Sequence, residues 1–257
     1  MWICPAFGRP HRLKELARSW ERCQPATRLN VRLWRGDPFY LEYKKLNWPQ
    51  TWRFYDSDAK GCGEALNEYF ELHPDEPFYG FVADDIVLRT KLGLEHLQAL
   101  AIPYFISYPN DTIQRHRICT HFCIGGDLVR EAGFFAHTGF HHGYIDMVWL
   151  RIGLEAGLLR YAPHIIFQHK HFLVKTAEWD ETYAASYGAP DSKQPDTLIS
   201  MADGEMFEKY LKEQHPSIMQ RIHRELFVNC EDWDEWLTPE EKIRLGLVQS
   251  AAAEPVL

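Results

Sequence analysis

The chain has 257 residues, of which 46% are hydrophobic and 25% are charged, which suits one large domain or one domain with a helical extension. No apolar run approaches the roughly 20 residues that a membrane-spanning helix needs, so the sequence argues against a membrane span. The formal net charge of −8 argues against broad, non-specific binding to nucleic acid, although it is compatible with a local basic groove.

The cysteine pattern and the first residues indicate a cytoplasmic protein. Six cysteines are scattered along the chain without paired C-x-x-C spacing, which favours free thiols in a reducing compartment. The segment from Met1 to Pro5 has no basic region ahead of its short apolar run. It therefore resembles a first core strand more than a signal peptide.

Short apolar strands alternate with helices over the first hundred residues. The predicted strands cover 1–7, 30–35 and 51–55 and a run that begins at Phe78, and the predicted helices follow Pro10 and span 61–72. This alternation predicts a parallel, Rossmann-like sheet. The G-x-G-x-x-G fingerprint is missing after the first strand, which argues against a dinucleotide-binding fold.

The second half of the chain is less regular and becomes helical towards its end. Strands are predicted at 119–124 and 164–169, and helices at 127–132 and 144–156. From Asp203 onwards the pattern is helical, and Thr238 begins a capping box for a last helix. We therefore expect an α/β domain over 1–185, a helical extension packed on it over 186–250, and a tail over 251–257.

Two adjacent carboxylates, Asp84 and Asp85, follow the apolar run that begins at Phe78. Ligands of open α/β sheets bind at the carboxyl ends of the strands. No Lys or Arg is adjacent in sequence, so the carboxylates would repel each other, and a divalent cation would keep both ionised. Adjacent residues of an extended strand point in opposite directions, so one should bind metal and the other a ribose or donor sugar, unless the chain turns. The alternative is a solvated acidic turn.

Histidines are concentrated in one 35-residue window of the second half, which holds His137, His141, His142, His164, His169 and His171. The last two are spaced to share a face of a strand. Imidazole is used in mixed oxygen and nitrogen metal sites, so one of these side chains can complete the shell that the aspartates begin. Taken singly, each histidine is more commonly a surface or hydrogen-bonding residue.

Three further features are ambiguous on the sequence alone. Gly125-Gly126 precedes a helix, where glycines let a backbone approach a ligand but also suit an ordinary strand-to-helix turn. Asp146, in the first turn of a helix, can accept a proton from an attacking hydroxyl or simply favour the helix dipole. Asp37, after the second strand, can bind a base or ribose or belong to a Gly-Asp-Pro turn.

In their order and spacing, these segments resemble glycosyltransferases of the GT-A fold, of the type grouped with family 2. The resemblance covers residues 1 to about 185 and rests on Ile3 to Pro10, Gly61 to Asn67, Ala83-Asp84-Asp85, Cys123 to Gly126, Gly143 to Asp146, and His169 to His171. The metal motif of that family is usually Asp-x-Asp, of which Ala83-Asp84-Asp85 is a variant. The implied architecture is a mostly parallel central sheet flanked by helices, with a C-terminal helical extension.

The resemblance also implies roles for individual residues. Asp85 and either His169 or His171 match ligands of Mn²⁺ or Mg²⁺, with His169 favoured because it directly follows the apolar strand. Asp84 matches a residue that holds ribose or the donor sugar, and Asp146 matches the base of inverting members. The remaining donor-binding and nucleotide-binding positions are Ala6, Phe7, Arg9, Asp37, Lys60, Gly125 and Gly126.

The implied activity is transfer of a sugar from a nucleotide-diphosphate donor, with a UDP-sugar favoured, to an acceptor hydroxyl with inversion. The acceptor can be a glycan, a protein or a hydroxylated DNA base. The segment 178–183 would be a lid that excludes water. Two alternatives stay open: a metal-dependent hydrolase or nucleotidyltransferase that uses the Asp and His cluster, and a non-catalytic nucleotide-sugar-binding module.

Overall fold

The computed structural model describes residues 1–140, 143–180, 183–184 and 198–228. His141 and His142 lie outside these ranges, as do the helix predicted from Thr238 and the predicted tail. Residues 185–197, where the boundary between the two predicted domains falls, also lie outside these ranges.

Eight strands of the described part of the chain form one mixed sheet. They are β1 (Trp2–Ala6), β2 (Leu29–Trp34), β3 (Trp52–Ser57), β4 (Phe78–Phe81), β5 (Ile86–Leu88), β6 (Ile106–Asn110), β7 (Cys123–Gly125) and β8 (Leu159–His169). Their order across the sheet is β3-β2-β1-β4-β7-β6-β8-β5. The first four pair in parallel, β7 is antiparallel to both β4 and β6, β8 is parallel to β6, and β5 is antiparallel to β8.

Helices cover both faces of this sheet. They are α1 (Pro10–Cys23), α2 (Tyr40–Lys45), α3 (Cys62–Leu72), α4 (Gly93–Ala101), α5 (Gly126–Ala132), α6 (Ile145–Ala156), α7 (Leu198–Glu213) and α8 (His215–Ile222). A short 3₁₀ turn spans Phe172–Val174, and a π-helical turn spans His223–Val228. No helix of the described segments is both long and apolar enough to cross a membrane.

The predicted α/β class is confirmed, and the parallel half of the sheet follows the predicted strands closely. The sequence patterns missed α2, α4, β5 and β6. The strand predicted at 164–169 begins earlier, at Leu159, and the one predicted at 119–124 begins later, at Cys123.

Alternate residues of β1 enter two separate cores, one on each face of the sheet. Ile3 packs into the core beneath α3 and α6, whereas Cys4 packs into the core beneath α1 and α4. Both residues are fully buried. Since both faces are covered, ligands reach this sheet at the ends of its strands. The carboxyl ends of β1, β2 and β4 lie on the same side.

The described helices after residue 198 pack on the α/β domain. The guanidinium of Arg221 on α8 donates to the backbone oxygens of Glu131 and Ala132, the latter at 2.9 Å. His215 lies between the Tyr210 hydroxyl, at 2.9 Å from Nδ1, and the Glu155 carboxylate, at 3.0 Å from Nε2. These contacts attach the helical extension to the ends of α5 and α6.

Candidate active site

Asp84 and Asp85 lie in a turn between β4 and β5, and both side chains are buried. The Nη1 atom of Arg9 is 3.0 Å from Asp85 Oδ2 and 3.7 Å from Asp84 Oδ1. The chain turns at these residues, which is the exception that the sequence prediction allowed for. The two carboxylates therefore do not point in opposite directions, and both face one guanidinium. The sequence has no cation next to the pair, but Arg9, which is distant in sequence, is adjacent in space and compensates both carboxylates.

Arg9 is itself held by several groups. Its backbone N–H donates to the Tyr43 hydroxyl at 2.9 Å, and its guanidinium reaches Asp180 through Nε at 2.9 Å and Nη2 at 3.1 Å. The guanidinium also lies 4.4 Å from the centre of the Tyr183 ring. Burial opposes the charge of Arg9, but the nearby carboxylates outweigh it and raise the pKa of the guanidinium. One cation therefore faces three carboxylates.

His169, at the end of β8, is the second partner of Asp85. The antiparallel register of β5 and β8 places Ile86 opposite His169, and the Nε2 atom of His169 is 3.5 Å from Asp85 Oδ1. Burial of Asp85 opposes ionisation, but His169 and Arg9 outweigh it and hold the pKa of Asp85 below its usual range. The same contact raises the pKa of His169, although burial alone would lower it.

Asp85 and His169 fit a divalent cation as a pair of ligands. The Oδ1 atom of Asp85 is buried and accepts no hydrogen bond within the described residues, a carboxylate suits Mn²⁺, and an imidazole is used in mixed oxygen and nitrogen sites. Diphosphate and water oxygens typically complete such a site. Taken alone, the described residues include no group of three His, Cys, Asp or Glu positioned to hold a metal. His171 lies 5.4 Å from His169 between ring centres and packs 5.0 Å from Tyr183.

His121 belongs to this site, although the sequence patterns did not single it out. It is buried, and its ring centre lies 5.0 Å from that of His169. Burial and the neighbouring His169 lower the pKa of His121 to about 4, so the imidazole is neutral at neutral pH. Its only sequence signal is its place just before the apolar residues of β7.

Asp111 is a second residue that the sequence patterns missed. It follows β6, is fully buried, and its Oδ1 atom accepts the backbone N–H groups of Ile113, Gln114 and Arg115 at 2.7 to 3.0 Å. Its Oδ2 atom is buried and has no hydrogen-bond partner within the described ranges. Its backbone oxygen accepts the N–H of His169 at 3.1 Å, which ties the end of β6 to the end of β8.

Asp146 lies in the first turn of α6, as predicted, and its Oδ1 atom accepts the N–H of Met147 at 2.9 Å. Burial raises the pKa of Asp146, while His169 lowers it and Asp111 raises it further. His169 and Asp111 thus influence the pKa of Asp146 in opposite directions. The cluster combines a partly desolvated carboxylate with the Asp85 and His169 pair.

The loop after β1 presents an aromatic surface beside this cluster. Phe7 is 37% exposed, and its ring centre lies 5.6 Å from that of Trp34 at the end of β2. The Asp37 carboxylate accepts the N–H of Gly8 at 2.7 Å and that of Phe39 at 2.8 Å. Asp37 thus belongs to the turn that was the alternative to base or ribose binding, and it also fixes the loop after β1.

Two other predicted positions lie near the same edge of the sheet. Ala6 is the last residue of β1 and is fully buried, so its contribution is through the backbone. Lys60 is exposed in the loop between β3 and α3, and its N–H donates to the Glu64 carboxylate at 2.9 Å. Its side chain is available to a ligand at the carboxyl end of β3.

Gly125 and Gly126 lie at the amino end of β4, away from the acid pair that follows its carboxyl end. This position corrects the donor-binding role expected for them. The antiparallel register sets Gly125 opposite Phe78, the first residue of β4. A Cβ atom on Gly125 would lie 1.9 Å from the Pro103 oxygen, and one on Gly126 would lie 2.0 Å from the Glu76 oxygen. Both glycines are needed because neighbouring backbone passes too close for a side chain.

Solved structures resemble this chain in fold, whereas no protein-family model and no curated protein matches it. One is the mannosyltransferase PcManGT from Pyrobaculum calidifontis in complex with GDP-Man and Mn²⁺, with a TM-score of 0.55, 12% identity, and coverage of 96% of this chain and 78% of that one. Another is residues 1–349 of S. aureus TarS, with a TM-score of 0.48, 11% identity, and coverage of 91% and 77%. The sheet order and the first of these similarities show that the chain has the GT-A fold.

Proposed function

We propose that this protein is a metal-dependent glycosyltransferase that moves a sugar from a nucleoside-diphosphate donor to an acceptor hydroxyl. The proposal rests above all on the cluster of Asp85, His169 and Arg9 at the carboxyl edge of a GT-A sheet. In open α/β sheets this edge is where ligands bind. PcManGT, which shares the fold, was solved with GDP-Man and Mn²⁺, which supports the same class of donor and metal here.

Asp85 and His169 would hold the metal, and a bound divalent cation would offset the negative charge of the diphosphate leaving group. Arg9 balances the charge of the two carboxylates and would add a positive charge beside the diphosphate. Burial raises the pKa of Asp84 to about 7, even though Arg9 opposes this shift. Asp84 would bind a ribose or sugar oxygen of the donor by a hydrogen bond.

Asp146 would remove the proton from the attacking hydroxyl. Its raised pKa makes it a stronger base than an exposed aspartate, and a base is most effective when its pKa is near the working pH. Attack from the face opposite the diphosphate would invert the anomeric centre, through an oxocarbenium-like transition state. Asp180 and Tyr183, which hold Arg9, would form part of the wall that excludes water.

Phe7 and Trp34 would bind the nucleobase. A half-exposed ring at the carboxyl end of β1 offers a stacking surface that accepts any base. The sequence resemblance favours a UDP-sugar, and PcManGT was solved with a GDP-sugar, so both donors belong in the first screen.

A thermal-stability screen tests this proposal. Purified protein is heated with UDP-, GDP-, CMP- and TDP-linked sugars, each with and without Mn²⁺. A ligand that binds only the folded state raises its stability by mass action. We expect at least one nucleotide sugar to raise the Tm in a metal-dependent manner, and Asp85→Asn to abolish that rise.

Asp75→Asn is the matched control. Asp75 is an exposed carboxylate that precedes β4, at the amino end of the strand and away from the site. It should retain the full shift. If no nucleotide sugar changes the Tm of the wild-type protein with Mn²⁺, the proposal is rejected. Release of free sugar with no acceptor-dependent product would instead favour the hydrolase alternative.

A further inference from the structure

A shallow groove of about 240 Å³ lies between α1 and the edge strand β5. Its lining residues are Glu15, Arg18, Ser19, Arg22, Val87, Arg89 and Lys170. Those from α1 recur at helical spacing, so they form one stripe along the helix that faces β5. We call this feature the basic groove.

The charge of the basic groove is opposite to that of the chain as a whole. Four of its side chains are cationic and one is acidic, while the formal net charge of the protein is −8. The single carboxylate, Glu15, lies 3.4 Å from Arg12 and is thereby partly neutralised. Such a local excess of one sign attracts ions of the other sign to a concave surface.

Two cations of the basic groove, Arg22 and Arg89, are held by neutral oxygens. Arg22 Nη2 donates to the Leu88 carbonyl at 3.3 Å, and Arg89 Nε donates to the Gln168 side-chain oxygen at 3.0 Å. Within the described segments, none of Arg18, Arg22, Arg89 and Lys170 forms an ion pair with a carboxylate. These contacts orient the side chains and leave their charge uncompensated.

The basic groove adjoins the candidate active site through Lys170. Lys170 lines the groove and stands between His169 and His171 in the sequence. Its backbone N–H donates to the backbone oxygen of Asp85 at 2.8 Å. The Tyr183 hydroxyl, next to Arg9, donates to the Lys170 oxygen at 2.9 Å. A long ligand in the groove would therefore have one end beside the residues that we assign to donor and metal.

We propose that the basic groove binds the acceptor of the proposed transfer, and that this acceptor is a chain whose units are joined by phosphodiesters. The inference rests on the proposed function. A row of uncompensated arginine and lysine side chains matches a row of phosphates, because guanidinium and ammonium groups form charge-assisted hydrogen bonds with phosphate oxygens. None of the described residues that line the groove is aromatic, so it would bind the backbone of such a chain and not stack on bases or sugar rings.

Three fluorescently labelled probes test this inference by anisotropy: the oligonucleotide dT12, a glycerol phosphate oligomer with a similar number of phosphates, and a neutral glucan oligomer. The variant Arg18→Glu/Arg22→Glu reverses two charges on exposed side chains of the groove. The control Lys209→Glu/Lys212→Glu makes the same change of net charge on exposed residues of α7. Metal-dependent donor binding is measured by thermal shift on the same preparations.

The wild-type protein and the control should bind a phosphodiester probe and not the glucan, whereas the groove variant should bind it at least tenfold more weakly. The slope of log Kd against log salt concentration should become shallower by about 1.4 in that variant. Each lost phosphate contact with a single strand lowers the slope by about 0.7, and the variant removes two such contacts. Binding of dT12 alone would indicate a nucleic acid, and binding of the glycerol phosphate oligomer alone would indicate a polyol phosphate.

Donor binding by the wild-type protein without binding of either phosphodiester probe would overturn the groove assignment alone. Equal weakening in the groove variant and the control would also overturn it, because net charge would then explain the effect. Absence of metal-dependent donor binding would instead reject the proposed function, whatever the probes show.

Discussion

The guanidinium of Arg9 lies 3.0 Å from the carboxylate of Asp85, although the two residues are 76 positions apart in the sequence. Both side chains are buried, at 6% and 8% exposure. Arg9 compensates the acid pair in the same place where a metal and a diphosphate would act. The negative charge of the site is balanced by a group that the loop after β1 supplies.

Arg9→Ala should lower the free energy of unfolding by about 3–5 kcal/mol in the absence of metal, because it leaves buried carboxylates without their partner. Urea denaturation measures this change. Saturating Mn²⁺ should recover a larger part of the loss in the variant than it adds to the wild-type protein, since the metal replaces the missing charge.

Arg35→Ala provides the comparison, because Arg35 pairs with Asp58 in an exposed position where solvent screens the interaction. That variant should unfold at the same urea concentration as the wild-type protein. An Arg9→Ala protein as stable as Arg35→Ala would show that the acid pair does not depend on Arg9.

Asp146→Asn should slow transfer about 10²–10⁴-fold while keeping donor binding, because the variant lacks the general base. Acceptor-dependent product formation measures the rate, and the metal-dependent Tm shift measures donor binding. Full transfer activity in Asp146→Asn would remove this residue from the reaction.

The same variant should be as stable as the wild-type protein at neutral pH, or more stable. Burial raises the pKa of Asp146, so its ionised form is less favourable in the folded than in the unfolded state. This cost is complete above the folded-state pKa and vanishes below the unfolded value of about 3.9, so any gain in Asp146→Asn should disappear in acid. A variant that is less stable at neutral pH would indicate a structural role.

The transfer rate should fall on acidification with a midpoint above the value of about 3.9 for an unperturbed aspartate. The base must be ionised to act, and burial raises the pKa at which Asp146 takes up its proton. Rates at saturating donor and acceptor measure the profile, and circular dichroism at each pH confirms that the fold persists. A rate that stays constant down to pH 4 would contradict the assignment.

Phe7→Ala should weaken nucleotide binding roughly 5- to 150-fold, which corresponds to the about 1–3 kcal/mol that base stacking on an aromatic ring contributes. The ring is 37% exposed, so its removal should have little effect on stability. Leu72→Ala, which removes a 63% exposed side chain at the far end of α3, serves as the control. Equal nucleotide affinity in the two variants would exclude stacking on Phe7.

Local patterns in the sequence were enough to predict the parallel half of the sheet. Apolar runs such as those of β1 and β2 alternate with amphipathic α1 and α3, and this periodicity follows from which face each element buries. The acid pair after β4 and the position of Asp146 in the first turn of α6 were visible for the same reason, since each depends on neighbouring residues alone.

The partners of the acid pair were decided only by the tertiary structure. Arg9, Asp111, His121 and Asp180 reach the site because the strand order brings the ends of β1, β4, β6 and β8 together. The position of Gly125 far from the acid pair likewise follows from the antiparallel register of β7. A residue's own neighbours set its helix or strand and its burial, but the charges that face it across the sheet depend on strand order, which no local pattern contains.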